Sequence, residues 1–358
     1  MAFSIKSEFP LGLALAVGAA GFALEHALLG SGLTVIALGL LALVSVIMGC
    51  AFRVAHHADV LAHHFGEPYG TMILTTAAVT VEVVMLIILM SGGSNPTLAR
   101  DTVYSAVMLD LNGILGLAAI LGGLRHGEQR YNMDASNSYV AMLLVALGLS
   151  MFIPDFIAPQ AWKAYSIFTI ITMVLLYAAF LRLQTVEHRY FFRYGKPPKI
   201  KAGSAREASV ARSVFLLIVS IVIIGALSEL LSVFFDNAAR DSGFSKAVPA
   251  LLIAVVSASP EVLVALRAAR RDQMQTVINI ALGAALATVL LTVPVIEAIA
   301  LVRGLPIEMG LTPLQTAMLL LTLLAAVINL HDGQSNMLEG AVHFALFAGF
   351  VMLSFITV

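Results

Sequence analysis

Six carboxylates interrupt the apolar runs of this chain: Glu25, Glu82, Asp110, Glu229, Glu261 and Glu297. No lysine or arginine lies deep in any of those runs, and Arg53 and Arg267 fall at run ends. A charge inside an apolar stretch is costly and marks function more often than packing. A carboxylate with no cation beside it can lower that cost in two ways: it takes up a proton, or it binds a cation. A site that alternates between these two solutions exchanges protons for cations. The sign and depth of the charges therefore point to proton/cation exchange.

Glu82 and Glu261 form the best pair, each near the middle of its own run. Thr75, Thr76 and Thr80 precede Glu82 and offer hydroxyl ligands; Ser257, Ser259 and Pro260 precede Glu261. Proline has no amide hydrogen, so it frees a carbonyl one turn back. That carbonyl and the two serine hydroxyls could line an ion site, and hard cations favour such oxygen ligands. The bland reading of either residue is a protonated acid bonded to a neighbouring helix. Two such residues at matched depth favour the site.

A second run follows each glutamate. Asp110, Asn112, Gly113 and Gly116 come after Glu82; Asn279, Gly283, Ala284, Ala285, Thr288 and Thr292 come after Glu261. The small residues suit close helix packing. Asn112 and Asn279 join Thr80, Ser257 and Ser259 as supporting ligands, because a buried amide needs partners. Asp59, Glu229 and Asp110 are accessory candidates. Glu297 lies near a run end, where a long side chain can snorkel. Asn336 and Glu339 have the spacing of a capping box that opens the last run. His56, His57, His63 and His64 surround Asp59. Such a cluster suits metal binding or pH sensing, or simply a polar helix end. Its spacing is not that of the HExxH zinc motif. An intramembrane metal enzyme built on these histidines is the alternative from another functional class.

The elements that must position these groups are membrane helices. Of 358 residues 60% are hydrophobic and only 11% charged, with a mean hydropathy of +0.96; soluble proteins carry about 25% charged residues. A net charge of −1 gives no field to attract nucleic acid. Cys50 is the single cysteine, so no intrachain disulfide forms. Eleven runs are long enough to span a bilayer: roughly 9–29, 32–54, 68–91, 102–123, 138–157, 161–182, 211–235, 246–266, 276–302, 313–330 and 338–357. The first is too long for a signal-peptide core and carries Glu25 and His26. With the N-terminus in the cytoplasm and the C-terminus outside, fifteen lysines and arginines fall inside and five outside, as the positive-inside rule demands. The basic segment 186–209 reads as a cytoplasmic linker whose cations touch anionic lipid. Five runs separate it from the first helix and five follow it. An odd number per half forces the halves to insert upside down relative to one another, a recurrent transporter plan with the ion site near the midplane.

Several stretches resemble the calcium/proton exchanger family of the cation/calcium exchanger superfamily, and its ChaA-type branch in particular. His57-Ala58-Asp59-Val60-Leu61-Ala62-His63-His64-Phe65-Gly66-Glu67-Pro68-Tyr69-Gly70 resembles the entry of the family's first repeat. Ser259-Pro260-Glu261, with Ala281-Leu282-Gly283 and Thr292-Val293-Pro294, resembles its second. Asp332-Gly333-Gln334-Ser335-Asn336-Met337-Leu338-Glu339-Gly340 is similar to its terminal motif, and Gln184-Thr185-Val186-Glu187-His188-Arg189 to the ChaA-type linker start. The resemblance covers most of residues 50–357. It implies an all-α polytopic membrane protein: one gating helix over 1–30, then inverted five-helix repeats over 31–185 and 210–358. It implies an antiporter, not an enzyme, that exports Ca²⁺, Na⁺ or K⁺ for H⁺ by alternating access across a bacterial inner membrane. Glu82 and Glu261 then bind cation and proton in turn, and no cofactor is expected beyond the transported ions. Membrane lipid is the other partner; no oligomeric state is implied. This chain departs from the family's GNAxE pattern around both glutamates, where the asparagine amides are missing. Fewer oxygen ligands weaken strict calcium selectivity. A sodium/calcium exchanger without proton coupling is the other alternative.

Overall fold

The computed structural model describes residues 8–65, 69–92, 96–187, 210–242, 247–304 and 307–356. Gly66, Glu67 and Pro68 and most of the basic linker, 188–209, lie outside the described residues. Eleven helical segments coincide with the eleven apolar runs: α1 (Phe9–Leu29), α2 (Leu33–Phe65), α3 (Tyr69–Gly92), α4 (Leu98–His126), α5 (Met133–Phe156), α6 (Pro159–Glu187), α7 (Val210–Ser242), α8 (Ala247–Ala269), α9 (Met274–Arg303), α10 (Pro313–Asn329) and α11 (Met337–Ile356). Among the described residues, nine are long and apolar enough to cross a membrane; α3 and α10 are apolar over the shorter stretches Thr75–Ser91 and Pro313–Asn329. Helices satisfy all their backbone bonds internally, which is why an apolar chain of this kind folds this way in lipid. Large apolar side chains such as Leu41, Leu175, Val222 and Leu324 point outward, as a lipid-facing surface requires. The protein is an all-α polytopic integral membrane protein.

Two compact units emerge, and neither is a sequence half. The first contains α1, α2, α3, α7 and α8 up to Pro260; the second contains α4, α5, α6, α8 from Glu261, and α9 to α11. Each unit thus takes matching helices from both halves: the first two of each five, or the last three. The matching extends to length. Helices α2 and α7 have 33 residues each, α3 and α8 have 24 and 23, and α4 and α9 have 29 and 30. It extends to detail as well, because α4 and α9 each contain a π turn, at Leu109–Ile114 and at Thr288–Thr292.

In the first unit α2 and α7 pack side by side with α1 and α3 against them. Glycines set the spacing. A Cβ at Gly39 of α2 would stand 2.5 Å from the Phe234 ring of α7, and one at Gly18 of α1 would stand 2.9 Å from Leu227. In the second unit α4 and α11 approach backbone to backbone. A Cβ at Gly116 would lie 2.7 Å from the Phe344 amide nitrogen and 3.0 Å from the Gly340 carbonyl. Gly113 faces Phe347 in the same seam. The small residues after Glu82 therefore do serve packing.

Loops close both ends of this second unit. At one end β1 (Gln129–Arg130) pairs antiparallel with β2 (Gln334–Ser335). The Tyr131 hydroxyl donates to the Gln334 carbonyl at 2.9 Å, and the Gln129 amide donates to the Ala269 carbonyl at 3.1 Å and to Asp272 at 3.0 Å. Burial first, then Asp332 and Glu339, push the Tyr131 phenol well above its usual range, so it stays a donor. At the other end Arg100 donates to the Gly310 carbonyl at 3.1 Å, Glu308 N to Pro96 O at 3.0 Å and Leu311 N to Met151 O at 3.0 Å. The loops after α4, α8 and α10 thus share one end. Those before α4, after α5 and after α9 share the other. Within this unit, helices joined by these loops alternate in direction.

Candidate functional site

Glu82 is just past the middle of α3 in the first unit and is buried, 3% exposed. Thr80 gives its hydroxyl hydrogen to the Thr76 carbonyl at 2.7 Å. Ser257 and Ser259 sit on the part of α8 that belongs to the same unit. Ser257 donates to the Ile253 and Ala254 carbonyls at 3.0 and 3.1 Å, and Ser259 donates to the Val256 carbonyl at 2.8 Å. A hydroxyl has one hydrogen and two lone pairs. Spending the hydrogen on the helix leaves each oxygen as a pure acceptor, the electronic form a cation needs. The freed carbonyl expected from Pro260 is that of Val256, and it does not stay open: the Ser259 hydroxyl replaces the missing amide. For that reason α8 runs unbroken through Pro260.

Glu261 follows directly, half-buried, as the first residue of the second unit. Asp110 and Asn112 lie in the π turn of α4, 2% and 0% exposed. The Asn112 amide donates to the Thr322 hydroxyl at 2.7 Å and to the Met108 sulfur at 3.6 Å, while its carbonyl oxygen is 3.0 Å from His343 Nδ1. Asn279 accepts from the Gln275 amide at 2.9 Å, and Gln275 accepts from Asn132 N at 2.6 Å. Side chains of the protein thus engage both asparagines. Asp59 and Glu229, on α2 and α7 of the first unit, are exposed.

Part of the histidine cluster is resolved into a different arrangement. Glu8 reaches Arg53 through two bonds, Nε to Oε2 at 3.0 Å and Nη2 to Oε1 at 2.6 Å, and His57 Nε2 is 3.7 Å from Glu8 Oε2. His56 packs edge-on against His57. An arginine within 3.4 Å of His57 Nε2 repels a metal cation there. Among the described residues no three His, Cys, Asp or Glu side chains gather to hold a resident metal. The side chain of His63 lies outside the described residues.

Glu297 departs from expectation. It does not snorkel at a helix end: α9 runs on to Arg303, α6 packs over this stretch, and Glu297 is 2% exposed with Thr169 Oγ1 2.6 Å from its Oε2. Sequence position alone could not reveal α6 above it, although a carboxylate in an apolar run was the signal. Asn336 does cap α11, accepting from Leu338 N and Glu339 N at 2.9 and 3.1 Å, but the Glu339 carboxylate takes the Asn336 amide at 2.7 Å rather than a backbone donor.

The sodium/calcium exchanger protein family model matches residues 35–186 and 212–356, nearly the whole of both halves. The chain belongs to this family. The exchanger is 33% identical over 336 residues to the sodium-potassium/proton antiporter ChaA of Escherichia coli strain K12, covering 90% of this chain and 89% of the relative. It is 26% identical to the Ca²⁺/H⁺ antiporter ChaA of Bacillus subtilis, covering 81% and 83%. Among solved structures it resembles native YfkE with a TM-score of 0.76 at 20% identity, covering 96% of this chain and 99% of that one. It resembles the H⁺/Ca²⁺ exchanger CAX with a TM-score of 0.66 at 15% identity, covering 97% and 89%. The resemblance read from the sequence motifs and the family match agree, and the exchanger is a transporter rather than an enzyme.

Proposed function

We propose that this exchanger is a secondary cation/proton antiporter that exports Ca²⁺, Na⁺ or K⁺ in exchange for H⁺ by alternating access. The observation that carries this reading is the placement of Glu82 and Glu261 just past the midpoints of α3 and α8, which occupy the same place in the two halves. The names of the ChaA relatives support it, since one is a sodium-potassium/proton antiporter and the other a Ca²⁺/H⁺ antiporter. Glu82 and Glu261 are the exchanging carboxylates. Thr80, Ser257 and Ser259 supply hydroxyl oxygens, and Asn112 and Asn279 are further supporting ligands. Asp59, Glu229 and Asp110 are accessory acids along the path.

Protons and cation compete for one set of oxygens. A carboxylate facing the cytoplasm loses its proton and binds the cation; on the opposite side protons displace it. Neither species needs a cofactor. Calcium takes six to eight oxygens, and hydroxyls without amides beside each glutamate favour a site that also accepts Na⁺ and K⁺. The lysine and arginine asymmetry and the bacterial relatives support a plasma-membrane location with the N-terminus in the cytoplasm, the C-terminus outside and the basic linker against lipid.

The test is cation-driven collapse of a proton gradient in everted vesicles, with Ca²⁺, Na⁺ and K⁺ added separately across pH. Glu82→Gln and Glu261→Gln should each abolish it while leaving the protein in the membrane. Full activity in both variants would sink the site assignment. Cation flux with no proton movement would favour the sodium/calcium exchanger reading instead.

A further inference from the structure

Glu297 is a buried carboxyl that the exchange site does not use. Thr169, fully buried on α6, is its hydrogen-bond partner at 2.6 Å, and no lysine, arginine or histidine among the described residues pairs with it. The bonding around Thr169 supports two states of Glu297. The single Thr169 hydroxyl hydrogen has three oxygens in reach: Glu297 Oε2 at 2.6 Å, Ser166 O at 2.9 Å and Tyr165 O at 3.2 Å. Carbonyls only accept. If the hydrogen points to Ser166, the short contact to Glu297 is a bond only when Glu297 is the donor and carries a proton. An isolated ionised carboxylate here would cost several kcal/mol, on the order of what drives buried acids to protonate.

We propose that Glu297 and Thr169 form a proton-binding site distinct from Glu82 and Glu261, which titrates during exchange. In the loaded state Glu297 Oε2–H donates to Thr169 Oγ1, and Thr169 donates to Ser166 O. On release the Glu297 O–H bond breaks, the proton leaves to water, and the Thr169 hydroxyl rotates to donate to the new carboxylate. Both states are hydrogen-bonded, which a merely buried acid does not achieve. Thr169 is thus a positioning residue for the proton.

The charged and titratable groups on the elements packed against this part of α9 do not compete for the role. On α6, Tyr165 is in electrostatic reach, but its hydroxyl donates to the Leu149 carbonyl at 2.6 Å. Lys163 on the same helix is exposed. On α4, Arg100 and Asp101 pair with each other at 2.9 Å, and Tyr104 stands against Phe350.

The role of this proton in transport rests on the antiporter reading. The test uses full-length protein in proteoliposomes. The first readout is the carboxylic-acid C=O stretch in infrared difference spectra across pH; the second is the pH profile of cation-driven proton flux. Glu297→Gln keeps a donor to Thr169 and mimics the loaded state. It should remove one carboxylic-acid component and shift the midpoint of the flux profile by about one pH unit. Thr169→Val should shift the frequency of that component, and Thr169→Ser should restore it. A Glu297→Gln protein with the wild-type infrared band, or with an unmoved pH profile, overturns the proposal. A wild-type protein that moves cations without protons overturns the antiporter reading, while the infrared measurement still decides whether Glu297 holds a titrating proton.

Discussion

In the unit built on α2 and α7, the hydroxyls of Ser45, Ser220, Ser228, Ser257 and Ser259 all donate to carbonyls of their own helix. In the unit built on α4 and α9, polar side chains cross between helices: Asn112 to Thr322, His343 to Asn112, Ser136 to the Leu330 carbonyl, and Thr169 to Glu297. The difference is mechanical. A seam of apolar side chains on glycine resists separation of two helices, and the serine bonds named for it run along one helix rather than between two. Crossing hydrogen bonds do set that register. We predict that shear between α2 and α7 is easier than shear between α4 and α11, the kind of small sliding by which packed helices change state. In the first unit the Glu8–Arg53 pair does cross between elements, and it ties the entry of α1 to α2.

The sharpest way to break this contrast is at Gly116. Its Cα faces the backbone of α11, so Gly116→Leu has no flexible neighbour to displace, and overpacking of this kind costs about 1–3 kcal/mol or more. The expected outcome is loss of folded protein in detergent, read as a lower midpoint of thermal aggregation. A wild-type midpoint would mean that α4 and α11 can separate and that the second unit is not the rigid one. The next effect is smaller. Asn112→Leu fills the same space but removes the acceptor beside His343 Nδ1 and the amide donor to Thr322, whose own hydrogen stays on the Met318 carbonyl, at about 1–3 kcal/mol. The protein should still fold, with a lower thermal midpoint. If exchange also loses its cation dependence in the folded variant, Asn112 acts as a ligand as well as a brace.

All eleven helices were legible in the sequence because apolar length is a strong signal, and length is what the bilayer selects. The linker divides the remaining ten runs evenly, and the matched lengths of α2 and α7, α3 and α8, and α4 and α9 fit that division. The grouping of helices into units was not. Local hydropathy carries no information on which helix faces which, and here matching helices from opposite halves associate. Glu82 and Glu261 stood out as charges at depth. Two details stayed hidden because they depend on neighbours remote in sequence: the Thr169 partner of Glu297, and the Glu8 carboxylate between Arg53 and His57. The Ser259 bond to the Val256 carbonyl is local, but it depends on a side-chain rotamer that residue order does not specify. A buried amide needs partners, and those of Asn112 include Thr322 and His343, which its place in the sequence does not reveal.

The smallest predicted effect tests the other side of the contrast. Ser228 is fully buried on α7, and its hydroxyl donates to the Ile224 carbonyl at 2.7 Å. That carbonyl already serves the helix ladder, so the hydroxyl bond is an addition rather than a requirement. A serine bonded back to its own helix adds little and tends to bend it, while alanine is the better helix former. Ser228→Ala should therefore change the thermal midpoint by less than about 0.5 kcal/mol equivalent. The exchange rate should be unchanged or slightly altered through helix curvature. If Ser228→Ala instead costs as much as Asn112→Leu, the Ser228 oxygen must be accepting a bond from another helix, and the first unit would be registered by polar contacts just as the second is.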